Sequence, residues 1–268
     1  MTKDPVHTEL DDLGIFTVTF NRPQKMNAFT YATYEGCVAA LRRAEEESAV
    51  RCVILRGAGD AFTAGNDLQD FMQNPPSDEK NPIFQFLFSL VRFPKPLIGA
   101  VQGHAVGIGT TMLLHCDIVV ASRSAKFRLP FVNLGLVPEG GSTVLLPQLC
   151  GAQKAAELLL LGQAFDGAQA HEFGLVNRLT DGAPFEMARE LASQLAAQPL
   201  GAVMDAKHVM RAPFRAEVEA AIRREGAVFA QRLRSPEALE ALQAFVEKRS
   251  PDFGRVTPTA VVSRTQNS

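Results

Sequence analysis

The sequence predicts an α/β core followed by an all-helical C-terminal region, and three observations carry that prediction. Short apolar, β-rich runs recur between stretches of helical periodicity, small residues mark the strand-to-helix junctions, and no strand-like run follows Pro199. Strands that alternate with helices favour mainly parallel pairing, because parallel neighbours need a crossover connection.

Taken in order, residues 15–20 alternate and are β-rich, and residues 50–56, 96–101, 118–121 and 175–179 are short apolar runs suited to buried strands. Between them, residues 30–47 carry Tyr34, Val38 and Leu41 on one helical face, and residues 153–161 and 186–197 show similar stripes. Residues 201–210, 216–233 and 236–248 read as three further helices. The chain therefore divides into a core, residues 1–198, and a helical region, residues 199–268. One polar insert, NPPSDEKN at residues 74–81, reads either as a mobile flap or as a solvated surface loop. There is no internal sequence repeat.

With 268 residues, 46% hydrophobic and 21% charged, the chain can bury a large core and matches neither a disordered nor a fibrous composition. A net charge of −2 argues against nucleic acid as a partner. Cys37, Cys52, Cys116 and Cys150 have no metal-ligand spacing and each lies in an apolar stretch, which points to reduced, buried thiols in a cytoplasmic protein. The N-terminus lacks the apolar centre of a signal peptide, no apolar run approaches the ~20 residues of a membrane span, and the terminal QNS is not a peroxisomal address.

Two segments carry the chemistry. Residues 61–68, AFTAGNDL, end a turn after a strand, with Gly65 permitting a tight backbone and Asn66 or Asp67 capping a helix that starts near Leu68. On this reading the Ala64 amide is left free to face a ligand; an ordinary capped helix start is the competing account. In the second segment, residues 102–117, Gly103, Gly107 and Gly109 open a helix that runs through Met112 to His115. The glycine spacing fits neither dinucleotide-binding nor phosphate-binding loops, so close backbone approach is the best use for it. A third segment, NLGLVPEGGS, offers the carboxylate of Glu139 on a turn leading into another helix. Amides aimed at a developing negative charge, together with a base, suggest enolate chemistry. Against that, Glu139 has a purely structural account as a favourable charge near a helix start. His104 and His115 flank the second segment without a nucleophile at triad spacing, and they read as structural.

From Asn21-Arg22-Pro23 and Asn27-Ala28, through both donor segments and LGLVPEGG, to Phe245-Val246-Glu247-Lys248-Arg249, the chain resembles the crotonase, or enoyl-CoA hydratase/isomerase, family. The resemblance implies a spiral of repeated ββα units, a C-terminal helical trimerisation region that also completes the coenzyme A site, and an acyl-CoA thioester as substrate. It implies a homotrimer or a dimer of trimers; that neither nucleic acid nor membrane is a partner is expected from the charge and the apolar runs above. It further implies that the amides of Ala64 and Ile108 hold the thioester oxygen, and that no metal or separate cofactor is needed beyond the coenzyme A of the substrate. By the same resemblance Lys25, Ala28, Asn66, Asp67, Leu68, Gly107, Thr111, Pro130, Phe131 and Leu134 line the substrate.

Hydratases of this family carry two glutamates, and the matching positions here are Thr111 and Phe131. Neither can act as a carboxylate base, so hydration is not the expected reaction. The context of Glu139, with Ile108 and Asn133-Leu134-Gly135, instead resembles the delta3,delta2-enoyl-CoA isomerases. Such an enzyme needs one carboxylate to move a proton from the alpha to the gamma carbon through a dienolate. The alternatives are a hydratase, another crotonase-type enolate reaction, and a non-catalytic acyl-CoA-binding protein. Phe131 and Leu134 suit an apolar acyl pocket; Phe84, Phe86 and Phe88 fit ordinary core packing better.

Overall fold

A computed structural model describes residues 4–68, 70 and 79–257. Residues 74–78 of the insert, on which the expectation of a flap falls, lie outside the described residues; its last residue, Asn81, caps a helix.

The main sheet has six strands in the order β1-β2-β3-β4-β6-β9. β1 (Val6–Leu10) pairs antiparallel with β2 (Ile15–Phe20), and from there β3 (Cys52–Gly57), β4 (Leu97–Val101), β6 (Ile118–Ser122) and β9 (Arg178–Thr180) run parallel. β3 and β4 are apolar along nearly their whole length because both faces are covered, as a parallel sheet requires. Strand alternation sorts their side chains into two cores. Ile15, Cys52, Ile54, Ile98, Ala100 and Val120 meet Ala188 and Ala192 of a later helix, Pro184–Ala196. Phe16, Val18, Phe20, Val53, Leu55, Leu97 and Val101 face the rest of the molecule.

A second sheet, β5 (His104–Val106), β7 (Lys126–Arg128) and β8 (Phe165–Asp166), is built from two- and three-residue strands too short to read from sequence. The run at residues 175–179 yields a strand only at its end, because the Val176 amide bonds back to the Ala170 carbonyl and pairing with β6 begins at Arg178.

Helix α1 (Tyr31–Glu46) starts on a capping box between Thr30 and Thr33, and α2 (Pro82–Arg92) on the Asn81 side chain with proline in its first turn. The short α3 (Ile108–Thr111) continues as a 3-10 turn, Met112–His115. After α4 (Ser142–Cys150), α5 (Ala152–Ala156) widens into a π turn, Glu157–Leu161, and α6 (Gly167–Glu172) and α7 (Pro184–Ala196) complete the core.

The C-terminal region has two α-helices among the described residues, not the three expected: α8 (Leu200–Arg232) and α9 (Pro236–Val246). Pro213 lies inside α8 without ending it. Proline removes one backbone donor and crowds the preceding turn. Both flanks of Pro213 are nevertheless anchored, Lys207 and Arg211 on Asp117, and Val218, Ile222 and Phe229 in the core.

Candidate active site

The first donor segment is pinned by residues far away in sequence. The buried Asn27 side chain donates to the carbonyls of Ala58 and Ala61, both at 2.8 Å, and the Asn27 backbone carbonyl accepts from Thr63 Oγ1 at 2.8 Å. Phe20, Phe29, Phe62 and Tyr34 form an edge-to-face cluster beneath it. The Ala64 amide is not free: it donates to the Met26 carbonyl at 2.9 Å. The sequence reading missed this because the segment around Met26 runs alongside, a pairing that local spacing does not announce. Phe29 takes the Gly65 carbonyl and the Asp67 amide at 2.8 Å each, so the Asn66 N–H between them is directed away from that pairing. Asn66 is thus the residue whose amide is left over, and Gly65, at φ +88°, makes the turn that allows it.

In the second segment Gly107 (φ +57°) donates to Arg128 O at 2.9 Å, and its carbonyl accepts from Thr110 and Thr111. Ile108 is the first residue of α3, where amides have no acceptor within the helix. Among the described residues neither the Asn66 nor the Ile108 amide has a protein acceptor. The two segments are stitched together by Thr63 N to His104 O (2.9 Å) and Val106 N to Thr63 O (3.1 Å). Glycine makes this closeness possible. A Cβ on Gly65 would fall 2.6 Å from Val106 O, and one on Gly109 would fall 2.6 Å from the Thr63 methyl.

Glu139 sits half-buried just before α4, and Thr111 Oγ1 donates to its Oε1 at 2.5 Å. Thr111 is itself completely buried and lies one turn after Ile108, so the residue that stands where a hydratase has a glutamate holds the carboxyl instead. Burial pushes the Glu139 carboxyl up to about 8, against the Thr111 hydrogen bond, with the Glu225 carboxylate adding to the rise. A group poised there changes protonation near neutral pH, which suits a proton shuttle. Tyr34 braces the residue that carries the other donor. Its hydroxyl donates to Asn66 Oδ1 at 2.5 Å, and its own ionisation is suppressed first by burial and then by the charge of Glu139. Tyr34 and Glu225 carry no motif, and only their tertiary contacts reveal them.

The other expected residues divide by place. Lys25 is exposed at the end of the 3-10 turn Pro23–Lys25, and Ala28 sits beside Gly65 and Asn66 through the Phe29 pairing. Asp67 pairs with Arg22 at 3.1 Å and accepts from the Asp70 amide at 3.4 Å, so it is the cap of the helical turn that Leu68 opens. Arg22, also bonded to the Ala28 carbonyl, is thereby fixed as a brace of this rim. Pro130, Phe131 and Leu134 follow β7; Phe131 is buried and Leu134 packs against the same core. Phe86 is fully buried against Phe29 and Tyr34, as core packing predicts. A separate cavity of about 360 Å³, lined by Cys150, Lys154, Glu157, Phe165 and Glu172 among others, contains none of these residues. Among the described residues no helix is long and apolar enough to cross a membrane.

The enoyl-CoA hydratase/isomerase family model matches residues 11–256. The 1,2-epoxyphenylacetyl-CoA isomerase of Escherichia coli (strain K12) is 37% identical over 250 residues, covering 90% of this chain and 95% of that protein. Enoyl-CoA delta isomerase 2 of Rattus norvegicus is 34% identical over 245 residues, 88% of this chain and 62% of the rat protein. The solved structure of Pseudomonas aeruginosa OdaA superposes with a TM-score of 0.88 at 47% identity, covering 91% of this chain and 99% of that one. With the fold, the paired junctions and a match across nearly its whole length in agreement, the chain belongs to the enoyl-CoA hydratase/isomerase family, the crotonases.

Proposed function

We propose that the protein is a delta3,delta2-enoyl-CoA isomerase in which Glu139 is the single acid/base and the amides of Asn66 and Ile108 form the oxyanion hole. The observation that carries this reading is the Glu139 carboxyl held at 2.5 Å by Thr111, one turn after Ile108, with Thr111 and Phe131 standing where the resemblance places a hydratase's glutamates. Ionised Glu139 takes the alpha proton of a 3-enoyl-CoA. The dienolate's negative oxygen is stabilised by the two amides, and the Glu139 acid returns a proton to the gamma carbon. The product is the conjugated 2-enoyl-CoA and the carboxylate is regenerated. Gly107 and Thr111 would form the floor of the site, Lys25, Ala28, Asp67 and Leu68 its rim, and Pro130, Phe131 and Leu134 the acyl side. The exposed apolar residues Val209 and Met210 on α8 and Phe245 and Val246 on α9 favour self-association into a trimer or a dimer of trimers.

The test is to give the protein a 3-enoyl-CoA and, separately, a 2-enoyl-CoA. Isomerisation of the first with little or no hydration of the second supports the reading; hydration at a comparable rate overturns it. The resemblance to 1,2-epoxyphenylacetyl-CoA isomerase favours a second reading, in which the acid form of Glu139 serves the isomerisation of an epoxide-bearing acyl-CoA. Turnover of that substrate together with inertness towards straight-chain 3-enoyl-CoA would select it.

A further inference from the structure

The turn that carries Glu139 continues through two glycines in the left-handed region, Gly140 at φ +72° and Gly141 at φ +74°. Two consecutive glycines give a chain wide freedom, and a base on such a turn would wander unless something else held it. Something does. The single peptide group between Gly140 and Gly141 is gripped at both ends. Its carbonyl oxygen lies 2.7 Å from His115 Nε2, and its N–H donates to Glu225 Oε2 at 2.6 Å. A carbonyl only accepts, so His115 holds its proton on Nε2 and donates.

Each grip comes from a different part of the fold. His115 is buried at the end of the 3-10 turn that continues α3, the helix whose first residue is Ile108. Glu225 is buried on α8 and also accepts the Thr143 amide at 3.0 Å and the Thr143 hydroxyl, thereby serving as an N-terminal cap for α4. Neither side chain faces open solvent, so losing the His115 contact leaves a buried ring N–H without its acceptor, and losing the Gly141 contact leaves Glu225 Oε2 without its donor while Thr143 keeps Oε1. Helix α8 is in turn fixed to the sheet where Asp117 accepts Lys207 and Arg211 at 2.7 Å each.

We propose that His115 and Glu225 are positioning residues that clamp the Gly140–Gly141 peptide and so set the carboxyl of Glu139 against the Asn66 and Ile108 amides. This rests on the proposed role of Glu139. The clamp acts on geometry alone: neither residue touches substrate, and binding of the thioester is left to the rims and amides described above. Thr111 fixes one carboxyl oxygen, and the clamp fixes the backbone behind it, so the side chain has little room for rotation.

The test uses the full-length protein carrying His115→Phe, His115→Gln or Glu225→Gln, each checked for fold and oligomer size. His115→Phe and Glu225→Gln are expected to lower kcat for 3-enoyl-CoA isomerisation at least tenfold while KM stays within about twofold. His115→Gln, which keeps an N–H donor, is expected to recover most of that loss. Amide hydrogen exchange across residues 140–143 should quicken in the two damaging variants. Folded variants within about threefold of the wild-type kcat with unchanged exchange would overturn the clamp, as would equal losses in His115→Phe and His115→Gln. Glu139→Gln separates the two claims. If it is inactive and the clamp variants are not, the clamp fails alone; if it keeps wild-type kcat, the role of Glu139 fails and the exchange data still judge the clamp.

Discussion

The junction that presents the Asn66 amide is held by side chains from distant parts of the chain, whereas the one that presents Ile108 is held mostly by its own backbone. At the first, Asn27, Arg22 and Tyr34 bring polar groups from outside to hold residues 61–68, and Thr63 inside the segment bonds back to the Asn27 carbonyl. At the second, Gly107 turns the chain, its carbonyl takes two amides, and Thr110 Oγ1 adds a bond to the Ala105 carbonyl at 2.6 Å. The reason is topological. A helix start supplies free amides by itself, so the second junction needs only a glycine that lets α3 begin immediately after β5. The first junction must free one amide in an irregular stretch, where every other polar group needs a partner from elsewhere. The two should therefore respond differently to substitution, the first to lost side-chain bonds and the second to changed backbone geometry.

The largest effect should come from the group that both junctions serve. Glu139→Gln keeps the shape and loses the proton, so isomerisation should fall on the order of a thousandfold with acyl-CoA binding retained. In the wild type, kcat/KM should rise about tenfold per pH unit and level off near 8, because only the ionised form is the base. Stability carries the opposite sign. A carboxyl raised from 4.5 to about 8 holds a proton in the folded state that the unfolded chain releases, so its contribution is lost as pH rises across that window. Melting curves of wild type and Glu139→Gln should diverge in favour of the variant between pH 5 and pH 8.

Next in size, Asn66→Pro removes an amide outright and should cost on the order of 100-fold to 1000-fold in turnover in a protein shown to be folded. Turnover close to wild type would break the assignment of the first donor. Smaller again, Asn27→Ala leaves the Ala58 and Ala61 carbonyls without their donor and should destabilise by about 2–4 kcal/mol. Its turnover should fall about tenfold as the first junction loosens. Ile108→Leu should stay within about threefold of wild type, because the second junction contributes a backbone group. An equal loss in Asn27→Ala and Ile108→Leu would erase the contrast between the junctions.

Much of this was legible in the residues themselves. Thr30 announces α1, the apolar runs of β2, β3, β4 and β6 announce a buried parallel sheet, and the PEGG turn marks Glu139 before a helix. What sequence could not supply were contacts between segments far apart in the chain. The Ala64 amide is taken by Met26, which belongs to an earlier segment with no strand pattern, and it is Asn66, two residues on, whose N–H has no protein acceptor among the described residues. His115 reads as an ordinary core histidine, which it is by burial, yet its partner is the carbonyl next to Glu139. The break expected between residues 201–210 and 216–233 is absent because α8 runs through Pro213, and its anchoring on both sides of that proline is tertiary.

The central claim, that one carboxyl both removes and returns the proton, is tested most directly by following a label. A 3-enoyl-CoA deuterated at the alpha carbon should, in a single turnover in ordinary water, yield 2-enoyl-CoA with part of the deuterium at the gamma carbon, and Glu139→Gln should yield none in the same time. Product carrying only solvent hydrogen at the gamma carbon, or label transfer that survives in Glu139→Gln, would contradict the account.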